Sequence, residues 1–279
     1  MEKILTFDKI KNHDDMMQCL TILSDRYPNL AITVLGHSIF NREIPMISLG
    51  EGSKTVVYIG AFCGTDLISS VILLRFVNEY CEMLKNGRKI YNIQLDHLTQ
   101  NRKIYIIPMV NPDGINYVTQ GVDAKNPFYR RICELSNDHN FSNWKYNGRG
   151  VDLRTNFLTP MEPEPEISAV SGLLKFDENI KLVIEFACGK NTIVYSDQNA
   201  AVNKSSITRF LGRMSSMALS QKSYLNHSGD LIDYCNQECG ISAYSIFVEG
   251  NTKNKSKQYN AFHAYSNIRE MLFTAPTLI

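Results

Sequence analysis

Three short apolar runs place the strongest constraint on how this 279-residue chain can fold. They span Thr55 to Phe62, Lys103 to Pro108 and Lys181 to Phe186, and polar residues barely interrupt them. A run of this kind is typical of a strand that is covered on both faces, as in a sheet with helices on either side. None of the runs approaches the length of about 18 residues that a membrane span requires.

Helical patterns alternate with these strands along the chain. The spacing of apolar residues predicts helices over 8–26, 67–84, 164–176, 205–223 and 258–273, and further strands over 31–35, 45–49, 192–195 and 244–248. Residues 111–163 are rich in Asn, Gly and Pro and predict a long irregular loop of the kind that is often functional. The alternation predicts one α/β domain over residues 1–279, in which helices flank a twisted, mixed central sheet.

Composition excludes several classes of partner and predicts a compartment. The formal net charge is +1, so nothing in the composition attracts nucleic acid or an acidic membrane surface. The first nine residues contain neither a long apolar core nor a small-residue cleavage site, which predicts that no signal peptide is present. The seven cysteines are odd in number, which favours reduced thiols over a disulfide framework. Together these features predict a cytoplasmic protein.

Three side chains suited to metal binding follow two of the predicted strands. Cys63 and Asp66 follow the strand that begins at Thr55, and Cys188 follows the strand that begins at Lys181. The ends of neighbouring strands can meet at one edge of a sheet, and two thiolates with one carboxylate can bind zinc. Two cysteines so far apart in sequence are more often unrelated core residues, however, so spacing alone favours no metal. The six histidines show no helical i,i+3 or i,i+4 pairing that would add ligands.

Seven segments, taken in order, carry a family resemblance. They are "LGHSIFNREIPMISLG", "VVYIGAFCGTDLIS", "IIPMVNPDG", "NWKYNGRGVDLRTNF", "EPEI", "KLVIEFACGKNTIVYS" and "SGDLIDYCNQECGISAYSIFVEG". The set resembles the zinc carboxypeptidase family, and "IIPMVNPDG" agrees with its counterpart almost letter for letter. That family contains digestive carboxypeptidases and bacterial peptidases that trim peptidoglycan stem peptides. The resemblance spans nearly the whole chain and implies the zinc carboxypeptidase fold.

The same resemblance implies that the metal-binding and proton-transfer residues are replaced. The family's His, Glu and His zinc ligands fall on Cys63, Asp66 and Cys188. Its general-base glutamate falls on Phe247, which can neither take nor give a proton. Glu249 lies two residues further on, on the same face of the predicted strand, and would replace the base only if the register slips.

The substrate-binding positions are altered as well. The family's Asn-Arg pair, which holds a terminal carboxylate, falls on Arg154 and Thr155, and the tyrosine that closes over substrate falls on Ser242. The oxyanion-stabilising arginine corresponds to Arg130 or Arg131, of which Arg131 is our choice. Asn111 opens the retained Asn-Pro-Asp-Gly segment, which shapes the backbone, and we count it among the substrate-binding positions.

These replacements argue against the family's chemistry. Two thiolates and a carboxylate around zinc have a net formal charge of about −1, which makes the ion a poorer Lewis acid. The side chains of Cys and Asp are also shorter than those of His and Glu. Each ligand atom would therefore lie about 1 Å further from the common centre. Losing the general base removes about 10²–10⁴-fold of catalysis.

Three hypotheses follow from the sequence. The first is a catalytically degenerate carboxypeptidase-like protein that binds or scaffolds a peptide or peptidoglycan fragment in the cleft where the family binds substrate. Zinc is possible at its altered site, but we expect none. The second is an active zinc metallocarboxypeptidase that uses a Cys63, Asp66 and Cys188 metal site with Glu249 as base. The third is a structural zinc, or a redox-sensitive thiol pair, at the same positions. The replacement of the zinc ligands, of the general base and of the pair that holds a terminal carboxylate favours the first hypothesis. No protein partner is implied.

Overall fold

The structure is a computed structural model that describes residues 7–136, 139–159, 161–196, 204–215, 217–222, 229–249 and 257–279. In these ranges the strands are β1 (Ala31–His37), β2 (Glu43–Leu49), β3 (Lys54–Gly60), β4 (Lys89–Ile90), β5 (Ile93–Gln94), β6 (Arg102–Ile107), β7 (Ile180–Cys188), β8 (Thr192–Tyr195), β9 (Ala218–Gln221) and β10 (Ser242–Val248). The α-helices are α1 (His13–Arg26), α2 (Leu67–Lys85), α3 (Leu95–Asn101), α4 (Pro112–Gln120), α5 (Tyr129–Leu135), α6 (Pro165–Phe176), α7 (Lys204–Ser215), α8 (Leu231–Tyr234) and α9 (Lys257–Thr274).

Eight of the described strands form one mixed sheet in the order β1-β2-β6-β3-β7-β10-β8-β9. Its centre is parallel, because β3 pairs in parallel with β6 and β7, and β7 pairs in parallel with β10. The three apolar runs of the sequence are β3, β6 and β7, and they lie side by side in this central part. The predicted α/β domain with a mixed sheet and flanking helices is therefore confirmed.

The two faces of the sheet pack against different helices. On one face Val56, Tyr58 and Ile184 belong to a large apolar cluster that includes residues of α2 and α9. On the other face a smaller cluster contains Val57 and Val183 together with residues of α6 and α8. Alternating residues of each central strand thus reach opposite cores, which is why these strands read as uninterrupted apolar runs.

Two sequence predictions were wrong. The segment 111–163 is not a continuous irregular loop, because it contains α4 and α5. The predicted helix over 205–223 ends at Ser215, and residues 218–221 form the edge strand β9, in which Leu219 pairs with Ile193 of β8. Pairing with a distant strand overrides the local helical pattern there. The β4–β5 ribbon, α3 and α8 were not predicted.

Two further observations bear on the class of protein. All seven cysteines lie in the described ranges, and no disulfide joins any of them. Within the same ranges, no helix combines the length and apolar content that crossing a bilayer requires.

A buried acid near the start of α6 predicts how stability depends on pH. Glu166 is fully buried, its Oε1 accepts a hydrogen bond from the Ile39 amide at 3.3 Å, and its Oε2 has no hydrogen-bond partner in the structure. Burial, with a further contribution from nearby Asp113, raises the Glu166 pKa from 4.5 to about 7. Because the folded pKa lies above the unfolded one, the protonated carboxyl stabilises the fold. That stabilisation is complete below about pH 4.5 and is lost as the pH rises to about 7.

We expect Glu166→Gln to remove this contribution to the pH dependence of the unfolding free energy. Above pH 7 the variant should be more stable than the wild type by about 3 kcal/mol, since a neutral amide carries no ionisation cost. Urea unfolding between pH 4 and pH 8 measures the difference. Glu162→Gln, at an exposed position, serves as the control, and its unfolding free energy should depend on pH as that of the wild type does. The same pH dependence in Glu166→Gln as in the wild type would contradict the prediction.

Candidate functional site: a carboxypeptidase-like cleft

The candidate site lies at the carboxyl ends of the central parallel strands, the usual location of sites in open α/β sheets. Gly60 at the end of β3 pairs with Phe186 of β7, so the segment after Gly60 and the end of β7 lie at the same edge. Cys63 and Asp66 follow β3, and Cys188 is the last residue of β7. The structure thus brings the three predicted metal positions to one edge of the sheet.

A tight turn carries the first two of these positions. The Asp66 amide donates to the Cys63 carbonyl at 2.9 Å, and the Cys63 Sγ lies 3.1 Å from the Thr65 hydroxyl. Only glycine fits at position 64, because an added Cβ would lie 2.7 Å from the carbonyl oxygens of both Gly114 and Trp144. The turn is therefore packed against the first turn of α4 and against the segment that contains Trp144.

Asp66 is used as a helix cap. It is 2% exposed, and its Oδ1 accepts a hydrogen bond from the Ser69 amide at 3.4 Å at the start of α2. Burial raises the Asp66 pKa to about 7, against the opposing effects of Arg154 and of the Ser69 hydrogen bonds. Burial likewise raises the pKa of the Cys63 thiol. Both environments disfavour the ionised forms that a metal ligand requires.

The residues present do not fit the family's zinc ion. The Asp66 carboxylate accepts a hydrogen bond at the start of α2, and the Cys63 sulfur contacts a hydroxyl. Within the described ranges, no group of three or more His, Cys, Asp or Glu side chains has an arrangement that could hold a metal. Cys63, Asp66 and Cys188 thus share an edge of the sheet without forming a ligand set.

A charged network forms the floor of the cleft instead. Arg154 donates from Nη2 to Glu185 Oε1 at 2.8 Å, and the Ser245 hydroxyl donates to Glu185 Oε2. Glu185 is 4% exposed, and Ser245 lies opposite it in the parallel pairing of β7 and β10. The Arg154 guanidinium also stacks over the Phe247 ring, with its carbon 5.0 Å from the ring centroid. Arg154, at a predicted substrate-binding position, and Phe247, at the predicted position of the general base, are therefore in contact.

The Arg154 guanidinium also interacts electrostatically with side chains other than its direct partner. The Arg154 pKa is raised chiefly by Glu185, and further by Asp66 and Cys63. The backbone position of Arg154 is set locally. Asp152 caps the 3₁₀ turn Leu153–Thr155, and its Oδ1 accepts a hydrogen bond from the Arg154 amide at 3.0 Å.

A cavity of about 310 Å³ opens above this floor. Three phenylalanine rings and several aliphatic side chains form much of its wall, and the charged network forms its polar part. It is lined by Phe62, Asp152, Arg154, Thr155, Phe157, Glu185, Val194, Asp230, Leu231, Ile232, Ser245 and Phe247. Its volume lies at the lower end of the range for small-molecule sites.

Several of the predicted site residues lie elsewhere. Glu249 lies beyond the end of β10, is exposed, and accepts a hydrogen bond from Asn191 Nδ2 at 3.4 Å; it does not line the cavity. Ser242 is the first residue of β10 and pairs with Leu182, so it is about 17 Å along the strand from Phe247. Assigning Ser242 to substrate binding was therefore wrong, because the parallel pairing puts it at the opposite end of the sheet.

The remaining two predicted positions also lie outside the cavity lining. Arg131 is an exposed residue of α5 that donates from Nη2 to the Gly150 carbonyl at 3.3 Å. Asn111 is fully buried; it caps α4 by accepting from the Gly114 amide at 2.9 Å and donates to the Phe62 and Tyr146 carbonyls at 2.9 and 3.1 Å. All of its hydrogen bonds are internal, so its assignment to substrate binding is corrected to a structural role.

Sequence reasoning missed Glu185 and Ser245. The signal for Glu185 was a charged residue inside an otherwise apolar strand, which is rare unless the charge is paired. Ser245 gives no such signal, since only the register of β10 against β7 places it opposite Glu185.

Comparisons with known proteins agree with this geometry. The sequence profile described as zinc carboxypeptidase matches residues 16–274. The chain therefore belongs to the zinc carboxypeptidase family. It is 35% identical over 150 residues to gamma-D-glutamyl-L-diamino acid endopeptidase 1 of Lysinibacillus sphaericus, a stretch that covers 53% of this chain and 38% of that protein.

Two solved structures share the fold. The structure of bovine thrombin-activatable fibrinolysis inhibitor in complex with tick carboxypeptidase inhibitor superposes with a TM-score of 0.71 at 14% identity, over 98% of this chain and 99% of that one. Carboxypeptidase A from Helicoverpa armigera gives a TM-score of 0.70 at 17% identity, over 99% of this chain and 76% of that one.

Proposed function

We propose that this protein binds a peptide or peptidoglycan fragment in the carboxypeptidase cleft without hydrolysing it. The contact that carries the proposal is the stacking of Arg154 on Phe247, 5.0 Å from the ring centroid, with Arg154 also paired to Glu185. The residue at the predicted position of the family's base is thereby an apolar ring under a guanidinium, and a phenylalanine ring cannot accept a proton from water. The cavity above this contact remains open to a ligand.

The relationship to a γ-D-glutamyl-L-diamino acid endopeptidase suggests the probe. L-Ala-γ-D-Glu-L-Lys contains the bond named for that relative, and hippuryl-L-phenylalanine represents an ordinary carboxypeptidase substrate. Isothermal titration calorimetry on the full chain measures binding of each probe, and mass spectrometry of the same mixtures measures cleavage. We expect one of the two probes to bind and neither to be cleaved.

Matched tryptophan variants locate the binding. Thr155 is exposed and lines the cavity, so Thr155→Trp should fill its mouth and weaken binding at least 10-fold. Thr21 is exposed on α1, away from the cavity lining, and Thr21→Trp should bind like the wild type. Cleavage of either probe by the wild type, lost on Asp66→Ala, would overturn the proposal. So would the absence of binding to both probes.

A further inference from the structure

Two cysteines lie at the two ends of one helical turn, outside the lining of the cavity. Cys235 and Cys239 are the first and last residues of a π turn that directly continues α8. The Cys235 carbonyl accepts a hydrogen bond from the Gly240 amide, five residues on, and another from the Ile241 amide at 3.0 Å. The backbone therefore holds the two cysteines at opposite ends of a single closed turn.

Both cysteine side chains contact the same apolar core. Cys235 is 0% exposed and belongs to the smaller apolar cluster of the domain, and Cys239 is half-buried and packs against that cluster. Gln237 and Glu238, which lie between them in the turn, are exposed. The two thiols thus share the inner face of the turn, and solvent reaches only that of Cys239.

A π turn brings residues four apart closer together than an α-helix does. In an α-helix their Cβ atoms lie about 5–6 Å apart, whereas a disulfide requires about 3.5–4.5 Å. The hydrogen bonds of a π turn join residue i to residue i+5, so one turn contains more residues and each rises less along the axis. Four residues then rise about 5 Å instead of about 6 Å. This spacing lies within the Cα separation of about 4.4–6.8 Å that disulfides span.

We propose that Cys235 and Cys239 form a redox-active dithiol, which a low-molecular-weight disulfide oxidises to a disulfide within the π turn. The Cys239 thiolate attacks one sulfur of the oxidant, breaks its S–S bond and releases one thiolate, which leaves a mixed disulfide at Cys239. The Cys235 thiolate then attacks the Cys239 sulfur and releases the second thiolate. The two protons of the cysteines pass to the two released thiolates, so two thiols are oxidised and one disulfide is reduced.

This inference goes beyond the proposed function, because it concerns a different part of the molecule. The π turn follows Leu231 and Ile232 of α8, which line the cavity, but neither cysteine does. Burial raises the pKa of the Cys239 thiol, so its reactive thiolate is scarce at neutral pH and the exchange should be faster in mildly alkaline solution.

Peptide mapping of the full chain tests the proposal. The reduced protein is incubated with oxidised glutathione at about pH 8.5, the remaining thiols are alkylated, and a tryptic digest is analysed by mass spectrometry without reduction. Trypsin leaves both cysteines in one peptide, Ser223–Lys253, which loses two hydrogen atoms when the disulfide forms. Cleavage after Glu238 then separates the halves of the reduced peptide but not those of the oxidised one. We expect this disulfide to be at least about 10-fold more abundant than any other within the chain.

Single variants distinguish the two thiols. Cys235→Ser removes the second thiol, so the reaction should stop at a mixed disulfide between Cys239 and glutathione. Cys239→Ser leaves the Cys235 thiol buried and out of reach of glutathione, so position 235 should stay reduced. Cys133 is another half-buried cysteine, on α5, and Cys133→Ser should form the Cys235–Cys239 disulfide as the wild type does.

Three results would overturn the proposal. The first is a mixed disulfide at Cys239 that persists in the wild type, and the second is complete retention of both thiols in the reduced form. The third is a disulfide that joins Cys63 to Cys188 in preference to this pair. If Cys235→Ser does not fold, Cys235→Ala takes its place with the same expectation. Because no peptide is present, failure of either proposal leaves the other standing.

Discussion

Replacing Glu185 by alanine is expected to lower the free energy of unfolding by about 3–5 kcal/mol. The substitution removes the shared acceptor of the Arg154 guanidinium and the Ser245 hydroxyl, and it leaves the guanidinium without its direct partner on the floor of the cleft. The side chain of Glu185 is only 6% exposed, so water replaces the lost contacts poorly. Urea unfolding at neutral pH measures the change.

Glu79 provides the control for this effect. Its carboxylate also accepts from an arginine and a hydroxyl, those of Arg269 and Tyr265, but its side chain is 26% exposed. Because water can partly solvate the groups left behind, Glu79→Ala should cost about 1 kcal/mol. A cost for Glu185→Ala no larger than that for Glu79→Ala would contradict the prediction.

A double variant separates the net contribution of the ion pair to the free energy of unfolding from the destabilisation caused by removing one partner. Arg154→Met with Glu185→Leu replaces both charges by apolar groups of similar size, and such replacements of buried pairs are often close to neutral. We therefore expect the double variant to regain most of the stability that Glu185→Ala loses. Losses that simply add would show that the two side chains act independently.

Replacing Asn111 by alanine is expected to cost about 3 kcal/mol of unfolding free energy. The fully buried amide satisfies the Gly114 amide and the carbonyls of Phe62 and Tyr146, which belong to three separate segments of the cleft. Each buried polar group left without a partner costs about 1–3 kcal/mol. Urea unfolding again gives the value, and a loss below about 1 kcal/mol would be inconsistent with this role.

Two variants refine the Asn111 prediction. Asn111→Asp keeps the acceptor for the Gly114 amide but loses both donors, so it should still be clearly destabilised. Asn101→Ala removes an exposed amide that donates to the His97 carbonyl within α3, and it should change stability by less than about 0.5 kcal/mol. The contrast tests whether burial between segments, rather than the amide itself, makes Asn111 important.

The sequence predictions that were wrong have a common physical cause, which is that distant contacts decide the local structure. Helices α4 and α5 are short and lie among Asn, Gly and Pro, so their periodicity is weak, and their packing within the fold stabilises them. Strand β9 carries a helical pattern but exists through pairing with β8. Ser242 was misplaced because a resemblance along the chain does not report at which end of a strand a residue lies.

Local pattern was sufficient for the architecture of this protein, and the resemblance along the chain supplied the positions at which family residues are predicted to be replaced. Apolar runs that are covered on both faces predict a central sheet with helices on either side, and the resemblance predicts the replacements at Cys63, Asp66 and Phe247 from the sequence alone. The contacts of those positions required the folded structure. Arg154 and Glu185 are 31 residues apart, and Ser245 is 60 residues from Glu185. Strand register and the direction of each side chain bring them together, and both are set by the packing of the whole domain.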